Sequence, residues 1–447
     1  MDWKKTSRVA NYWRFDSRTN KTVCLLCPRH CRRSNGEFGF CGVRGNVNNE
    51  VHTYIYGRTL SPTIENIETE AVNHYSPGAK ILSLGNIGCM MDCNFCQNWT
   101  TSQVKYLDDS NVFEFTSEQI VEMALKNNVG IISFTYNDPV VWQEFVVDTA
   151  RLAKKYGIKS LYKSALYIEI EPLRELIEVI DIFSISSKSL SEEFYRKYTK
   201  GKLNPVLEGM KEIYKSKKHL EISRLIVPGL NDTEAETVNI VKWMLENTDS
   251  SVPLHFVAFH PSYKYLKVFR TSIETLIKAR EYALNNGMEY VYIGNKYSSE
   301  FSDTSCKNCG NKLVERFGLS VQIVGITKNG TCNRCGSPTP IKYPFPTVTG
   351  SRYSSDFDFM HKQSFTFSWN EENNGLHCHI DGLNGSKVLV KIEHKPTNET
   401  EIFELDGIDR FSLSKKHVDE SSVLISFDTA IGVKFMPLLD RAHFPVM

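Results

Sequence analysis

Apolar segments of strand length alternate with helical patterns between residues 80 and 294. The strand-like segments are AKILSLGN, GIISFTY, IKSLYKS, IDIFSIS, HLEISRLIV, VPLHFVAFH and YVYIGN, with stretches such as SEQIVEMALKNN between them. Strands that are continuous apolar runs joined by helices predict an α/β fold with a parallel sheet and outer helices. The pattern suits a full or partial (β/α) TIM-like barrel, in which sites gather at the C-terminal ends of strands.

A second pattern begins near residue 350, where short segments alternate apolar and polar positions. The strand-like segments are SFTFSW, LHCHI, KVLVKIE, EIFEL, VLISF and GVKFMPL, separated by turn clusters such as NEENNG and DGLNGS. Alternation with a period of two predicts half-buried β-strands. A proline-rich linker precedes these segments, so we predict a C-terminal all-β domain, a small β-sandwich or barrel, over residues 341–447.

The charge balance argues against two classes of partner. The chain has 447 residues, with 53 Lys and Arg against 52 Asp and Glu, which gives a formal net charge of +1. Binders of nucleic acid or of membrane surfaces usually carry a broad basic face, so neither is an expected partner. No apolar run is long enough to span a membrane, and the N-terminal residues lack a secretion signal. We therefore expect a cytoplasmic protein.

The twelve cysteines form three groups and leave one residue over. The groups are Cys24, Cys27, Cys31 and Cys41; Cys89, Cys93 and Cys96; and Cys306, Cys309, Cys332 and Cys335. A reducing compartment keeps thiols free, and grouped free thiols are typical of metal sites rather than of disulfides. The sequence therefore predicts three metal sites.

The middle group gives the most specific signal. The segment GCMMDCNFCQNW places Cys89, Cys93 and Cys96 on a short loop that follows a predicted strand. A 4Fe–4S cluster has four irons, so three cysteine ligands leave one iron open, whereas a structural site is usually closed by four protein ligands. We predict a 4Fe–4S cluster whose open iron chelates S-adenosylmethionine, as in radical enzymes. The alternatives are a degenerate zinc site or chance clustering.

Several blocks of the chain, in order, resemble the radical SAM enzymes of the pyruvate formate-lyase activating type, and within them the AmmeMemoRadiSam system proteins. The resemblance spans about residues 20 to 336. Its blocks are CLLCPRHCRRSNGEFGFCGVR, HYSPG, CMMDCNFCQNW, FTYNDP, LIVPGLND, VPLHFVAFHP and VYIGN, followed by two CxxC pairs. The resemblance implies a barrel of the radical SAM type, with a 4Fe–4S cluster and S-adenosylmethionine as cofactors.

The resemblance also implies a set of cofactor-binding residues. They are Tyr136, Asn137, Asp138, Lys188, His255 and His260. In relatives the FTYNDP block lies beside the amino end of S-adenosylmethionine, although Asn-Asp-Pro is also a common turn. The two histidines stand where relatives face the cofactor cavity, but a histidine in an apolar strand is often a core residue. Lys188 is retained in a segment where Ser186 replaces the family's Asp.

The two outer cysteine groups each offer four thiolates. Cys24, Cys27, Cys31 and Cys41 could close a tetrahedral zinc or hold a complete iron-sulfur cluster, and ligand count does not choose between them. A zinc would attach the N-terminal arm to the barrel, and a second cluster could relay electrons to the first. Because the spacing matches no ferredoxin pattern, the sequence favours a structural role. The CxxC pairs at 306–309 and 332–335 have the spacing of a zinc-ribbon or rubredoxin-like site for zinc or iron.

The chain is thus expected to contain four parts. They are an N-terminal arm with a four-Cys site (1–75), a radical SAM barrel (76–300), a CxxC element (301–340) and a β-domain (341–447). The resemblance implies reductive cleavage of S-adenosylmethionine to a 5′-deoxyadenosyl radical, with a protein or peptide substrate and a one-electron reductant such as flavodoxin or ferredoxin. Because some cofactor segments differ from the family, two alternatives stay open: a cobalamin-dependent radical SAM C-methyltransferase and a non-catalytic iron-sulfur or zinc scaffold.

Overall fold

The computed structural model describes the chain in the following ranges: 3–295, 301–342, 360–368, 373–381, 387–395, 397, 399–406, 410–414 and 422–439. The chain divides near residue 351 into two compact units. Across these ranges, no helix is both long and apolar enough to cross a membrane.

The first unit holds the helices and most of the strands. Its strands are β1 (Arg8–Val9), β2 (Trp13–Asp16), β3 (Lys21–Cys24), β4 (Arg32–Arg33), β5 (Arg44–Val47), β6 (Glu50–Thr53), β7 (Arg58–Thr59), β8 (Thr63–Asn66), β9 (Lys80–Gly85), β10 (Phe113–Glu114), β11 (Ile131–Thr135), β12 (Lys159–Ser164), β13 (Ile182–Ser187), β14 (His219–Ile226), β15 (Leu254–Ala258), β16 (Val291–Gly294), β17 (Thr304–Ser305), β18 (Lys312–Phe317) and β19 (Ser320–Ile323). Its α-helices are α1 (Trp99–Ser102), α2 (Ser117–Lys126), α3 (Gln143–Lys155), α4 (Ile170–Val179), α5 (Glu192–Phe194), α6 (Asn204–Lys215), α7 (Glu234–Asn247) and α8 (Ile273–Asn285). A π-helix at Tyr195–Thr199 follows α5.

The main sheet has eight strands in the order β16-β15-β14-β13-β12-β11-β9-β8. Neighbouring strands from β9 to β16 pair in parallel, and β8 pairs antiparallel with β9 at the edge. Helices cross between successive parallel strands, as the alternating pattern predicted. Within the described residues no pairing joins β8 to β16, so the predicted parallel α/β architecture is confirmed as a partial barrel.

Local sequence explains the main elements. Every residue of β11 is buried, which suits a strand covered on both faces. Helix α2 begins with a capping box, because the Thr116 hydroxyl accepts from the Gln119 N–H while the Gln119 side chain accepts from the Thr116 N–H. Its buried residues Ile120, Val121 and Ala124 lie at helical spacing and belong to the hydrophobic core.

Close to the amino ends of the strands, the buried carboxylate of Glu221 and its hydrogen-bond donors close one end of the barrel. We call this group of residues the floor. Glu221 of β14 accepts hydrogen bonds from the rings of His219 (2.9 Å) and His255 (2.7 Å). It also accepts from the backbone N–H groups of Asn73 and His74. The segment before β9 is thereby tied to the middle of the sheet.

The N-terminal arm docks on the barrel through a buried ion pair. Arg44 of β5 donates two 2.9 Å hydrogen bonds to Glu144 of α3, and both side chains are 3% exposed. The same carboxylate accepts from the backbone N–H of Asn11 at 2.7 Å. This paired, bidentate geometry is the form in which buried charges are tolerated.

The second unit consists of antiparallel strands. They are β20 (Met360–Ser368), β21 (Asn373–Asp381), β22 (Lys387–Lys395), β23 (Glu399–Asp406), β24 (Arg410–Ser414) and β25 (Ser422–Leu439). The long strand β25 pairs with β20, β21 and β22. The predicted C-terminal all-β region is confirmed, although VLISF and GVKFMPL lie in one strand and β24 was not predicted. The exact domain boundaries stay predictions.

Replacing Glu144 by Ala should strongly destabilise the first unit. The change leaves the Arg44 guanidinium buried without its carboxylate, which costs about 3–5 kcal/mol of the free energy of unfolding. Arg151→Ala is the matched control, since its 3.1 Å pair with Glu175 is half exposed and should be worth about 0–1 kcal/mol. Denaturant titration followed by tryptophan fluorescence measures both, and equal costs would contradict the docking role of Glu144.

Candidate metal and cofactor site

The middle cysteine group lies on the loop between β9 and α1, at the carboxyl end of the sheet. Inside the loop, the Met91 N–H donates to the Cys89 sulfur at 3.3 Å, and the Ser102 hydroxyl lies 3.5 Å from the Cys96 sulfur. The Cys96 N–H donates to the Cys93 carbonyl at 3.1 Å. This position agrees with the prediction from the sequence, because parallel sheets place their functional sites at the carboxyl ends of strands.

Two neighbouring segments clamp this loop from outside. The N–H groups of Asp92 and Asn94 donate to the carbonyls of Thr199 (3.1 Å) and Tyr198 (2.9 Å) in the π-helix. From the segment after β15, the Lys264 N–H donates to the Asn94 carbonyl at 3.0 Å, and its ammonium pairs with Asp92 at 3.1 Å. The loop conformation is therefore set by residues more than a hundred positions away in sequence.

Burial disfavours the thiolate form of the three thiols. Burial raises the pKa of Cys93 to about 12 and also raises the pKa of Cys89 and of Cys96. The Lys188 ammonium opposes this rise at Cys93 and Cys96. Deprotonation of such buried thiols is coupled to metal binding, so the donor set fits a metal group with thiolate ligands.

The distances between the sulfur atoms distinguish the three-cysteine loop from the four-cysteine site at 306–335, which we call the C-terminal thiols. In the described part of the chain, one group of candidate ligand atoms is compact. The sulfurs of this group all lie within 4.8 Å of one another, and they belong to Cys306, Cys309, Cys332 and Cys335. The three thiols of the loop form no group as compact as this. A single tetrahedral ion holds its sulfurs about 3.8 Å apart for Zn–S bonds of about 2.3 Å, whereas a cluster attaches each sulfur to a different iron. The loop thus fits a 4Fe–4S cluster better than one zinc ion.

Tyr136 links the end of β11 to the edge strand. It has a left-handed backbone (φ 64°), and its carbonyl accepts from the Asn98 side chain at 2.7 Å. The Tyr136 hydroxyl bonds to Glu65 (2.8 Å) and Thr63 (2.9 Å). A contact between Tyr136 and the cofactor stays a prediction.

Asn137 and Asp138 are buried and bind protein groups. The Asn137 amide donates to the Asn86 carbonyl at 2.5 Å. The Asp138 carboxylate accepts from the Ser164 hydroxyl and the Ala165 N–H, both at 2.8 Å, and it caps the 3-10 turn that follows. These bonds join the ends of β9, β11 and β12. The turn reading of Asn-Asp-Pro is therefore seen in the structure, while cofactor contacts of either side chain stay predictions.

The two predicted histidines occupy different places. His255 is 3% exposed and belongs to the floor, where Glu221 occupies its Nε2. His260 follows the carboxyl end of β15, and its Nδ1 lies 3.1 Å from the Pro261 carbonyl. His260 thus lies at the end of the sheet that carries the cysteine loop, whereas His255 lies near the amino end of its strand. A cofactor role for either residue stays a prediction.

Lys188 directly follows β13 and is close enough to affect the pKa values of Cys93, Cys96 and Asp138. Among the described residues its ammonium has no hydrogen-bond partner, while its backbone N–H and carbonyl are fixed by Tyr195 and Asn231. These two hydrogen bonds to the backbone of Lys188 therefore fix this residue close to the cysteine loop.

Sequence reasoning missed an arginine beside Lys188. Arg224, near the carboxyl end of β14, is 1% exposed and forms an ion pair with Glu236 of α7. Its Nη1 finds no partner within the described residues. Glu236 in turn accepts from the Ser189 hydroxyl at 2.9 Å. A single arginine inside the apolar run HLEISRLIV was the available signal.

The inside of the partial barrel also carries polar groups that the sequence did not single out. Lys163 of β12 donates to the hydroxyls of Ser184 (3.0 Å) and Ser223 (3.1 Å) and to the Glu70 carbonyl. Burial raises the pKa of Glu70 and lowers the pKa of Lys163. These groups therefore satisfy one another inside the partial barrel.

The four C-terminal thiols are arranged around a common point. The sulfur distances are 3.7 Å for Cys306 to Cys335 and 3.7 Å for Cys309 to Cys332. These distances fit one tetrahedral ion with four thiolate ligands. The predicted four-Cys site at 306–335 is confirmed as a geometry, and its metal stays a prediction.

Comparison with known proteins gives the family. Residues 86–244 match the model of the Radical SAM superfamily. The uncharacterised protein MJ0808 of Methanocaldococcus jannaschii is 39% identical over 323 residues, which cover 72% of this chain and 96% of that protein. The chain belongs to the radical SAM superfamily. Membership implies a 4Fe–4S cluster and S-adenosylmethionine, and the assignment of Cys89, Cys93 and Cys96 as cluster ligands stays a prediction.

The chain is also similar, at lower identity, to activating enzymes. The 4-hydroxyphenylacetate decarboxylase activating enzyme of Clostridium scatologenes is 22% identical over 222 residues, 45% of this chain and 68% of that enzyme. A solved domain of the pyruvate-formate lyase-activating enzyme from Bacteroides vulgatus has a TM-score of 0.33 at 15% identity, covering 36% of this chain and 98% of that domain. The sequence similarity to the decarboxylase activating enzyme confirms the predicted resemblance to activating enzymes.

We expect the C-terminal thiols to hold one zinc ion per chain. The double variant Cys306→Ser, Cys332→Ser should lose that ion, because two ligands cannot close a tetrahedral site. Elemental analysis of the purified protein measures it, and the variant Lys328→Ala, at an exposed position between the two CxxC pairs, is the control. One iron per chain at this site, with a rubredoxin-like spectrum, would show that zinc was the wrong choice.

Proposed function

We propose that the protein is a radical SAM enzyme that reductively cleaves S-adenosylmethionine and abstracts hydrogen from a protein or peptide substrate. The observation that carries the proposal is the three-cysteine loop, clamped at the carboxyl end of a parallel sheet with a free ammonium beside it. When bound, the 4Fe–4S cluster on Cys89, Cys93 and Cys96 supplies one electron to S-adenosylmethionine, which yields methionine and a 5′-deoxyadenosyl radical.

The chain's own residues position the cofactor. Lys188 offers an ammonium without a hydrogen-bond partner in the described residues, at a point where it acts on the sulfurs of Cys93 and Cys96. We assign it to the carboxylate of S-adenosylmethionine, since a charge-assisted hydrogen bond to a carboxylate is among the strongest that a lysine makes. Arg224 and Glu236 support the adjacent strand ends.

Inside the sheet, Lys163 and its serine partners form a closed polar network. The ammonium is held by three acceptors, so it joins β12, β13 and β14 and fixes the inside of the barrel before substrate binds.

The rim of the site favours a protein or peptide substrate over a small molecule. Leu266 and Phe269 are 70% and 89% exposed, and they lie on the segment after β15 that also holds the cysteine loop. Exposed large apolar side chains next to a site indicate docking of another chain. One relative is named as an activating enzyme of a decarboxylase, which points the same way. A one-electron donor such as flavodoxin or ferredoxin completes the reaction.

The deciding experiment measures 5′-deoxyadenosine formed by the anaerobically reconstituted protein with S-adenosylmethionine and dithionite. We expect product from the unchanged protein and none from the triple variant Cys89→Ala, Cys93→Ala, Cys96→Ala, because that variant cannot hold the cluster.

A fully loaded cluster that gives no product would favour the scaffold alternative. The methyltransferase alternative requires bound cobalamin, and its corrinoid absorbance in protein purified from cobalamin-supplied cells would favour it.

Lys188→Met should weaken binding of S-adenosylmethionine roughly tenfold or more, which is the value of a charge-assisted hydrogen bond. The cluster should load normally, because Lys188 is not a ligand. Lys197→Met is the control, since its exposed ammonium lies over the Tyr198 ring. Equilibrium binding to the oxidised, reconstituted protein measures the effect. Equal affinity in Lys188→Met and the unchanged protein would remove Lys188 from the cofactor site.

A further inference from the structure

The four thiols of the N-terminal arm line one cavity. Cys24 ends β3, Cys27 and Cys31 follow on the next turn, and Cys41 precedes β5. All four are free thiols and face the same space, together with the side chains of Arg33, Arg44 and Met90. The function proposed above makes no use of this cavity.

Backbone N–H groups are already directed at these sulfurs. The Phe40 N–H donates to the Cys31 sulfur at 3.4 Å, and the backbone N–H groups of Arg29 and Val43 donate to the sulfurs of Cys27 and Cys41. Hydrogen bonds of this kind stabilise thiolates that bind a metal group and tune its reduction potential. The arm therefore supplies hydrogen-bond donors to its sulfur atoms.

The spacing of the four sulfurs chooses between the two groups that four thiolates can hold. The C-terminal thiols at 306–335 have all their sulfurs within 4.8 Å of one another, as one tetrahedral ion requires. Over the described residues, the arm thiols form no group as compact as that. In this respect they match the loop of Cys89, Cys93 and Cys96, whose sulfurs would attach to separate irons in the proposed cluster.

The arm site and the loop site abut. Met90, next to Cys89, lines the arm cavity, and its carbonyl accepts a hydrogen bond from the Arg29 guanidinium. At Gly88, an added Cβ would lie 2.7 Å from the Cys41 carbonyl oxygen, so the two backbones are in direct contact.

We propose that Cys24, Cys27, Cys31 and Cys41 bind a second 4Fe–4S cluster, fully ligated by protein and adjacent to the cluster that binds S-adenosylmethionine. With four thiolate ligands no iron is open, so this cluster binds no substrate. This inference goes beyond the proposed function and does not rest on catalytic activity, since it concerns metal content.

The test quantifies iron, acid-labile sulfide and zinc in the full-length protein after anaerobic reconstitution. The unchanged protein should contain about eight irons and about eight sulfides, two clusters of four. The variant Cys89→Ala, Cys93→Ala, Cys96→Ala leaves the arm intact and should retain about four of each. Its electron paramagnetic resonance signal after reduction should not change when S-adenosylmethionine is added, because no iron is open.

The reciprocal variant replaces Cys24, Cys27, Cys31 and Cys41 by Ala. It should also keep about four irons, and its signal should respond to S-adenosylmethionine. If this variant fails to fold, the iron content of the loop variant (Cys89→Ala, Cys93→Ala, Cys96→Ala) decides alone whether the arm binds a cluster. Loss of all iron from the loop variant would overturn the proposal, whether the arm then holds zinc or no metal.

Discussion

Glu221 is the carboxylate on which the inside of the barrel depends. Burial alone would raise its pKa, but hydrogen bonds from His219 and His255 hold the pKa of Glu221 well below its usual range. A buried charge of this kind is tolerated only when its donors are all in place. Because two of those donors are the N–H groups of Asn73 and His74, the same charge fixes the segment that leads into β9. The cysteine loop begins at the other end of that strand, so the floor and the site are connected by one strand of the sheet.

The sequence was most informative where chemistry and periodicity were local. Alternating apolar runs and helices predicted the parallel sheet, and the spacing of Cys306, Cys309, Cys332 and Cys335 predicted their convergence. The role of His255 was less accessible, because an apolar strand pattern does not reveal its partner, Glu221, 34 positions earlier in the sequence. Arg224 was missed because its partner Glu236 lies in the following helix. In both cases the deciding interaction is tertiary.

The cysteine groups show how one residue type supports different sites through backbone geometry. At 306–335, two turns bring four sulfurs to the short distances that a single ion requires. The loop at 89–96 instead spreads three sulfurs and relies on the π-helix and on Lys264 to keep them there. Ligand count and sequence spacing described the first group well. For the arm, where count alone left zinc and cluster open, the tertiary spacing of the sulfurs supplies the argument.

The arm is continuous with the barrel in a way that composition does not reveal. Strand β8 completes the main sheet, the segment after it closes the floor, and the Cys41 carbonyl meets Gly88 at the base of the cysteine loop. A protein trimmed to begin at residue 76 would lose the edge strand β8, the N–H donors that bind Glu221, and the contact between Cys41 and Gly88 beside the cysteine loop. The barrel is therefore not a module that can be transplanted without its first seventy-five residues, and any chimaera that exchanges barrels between relatives has to carry the arm with it.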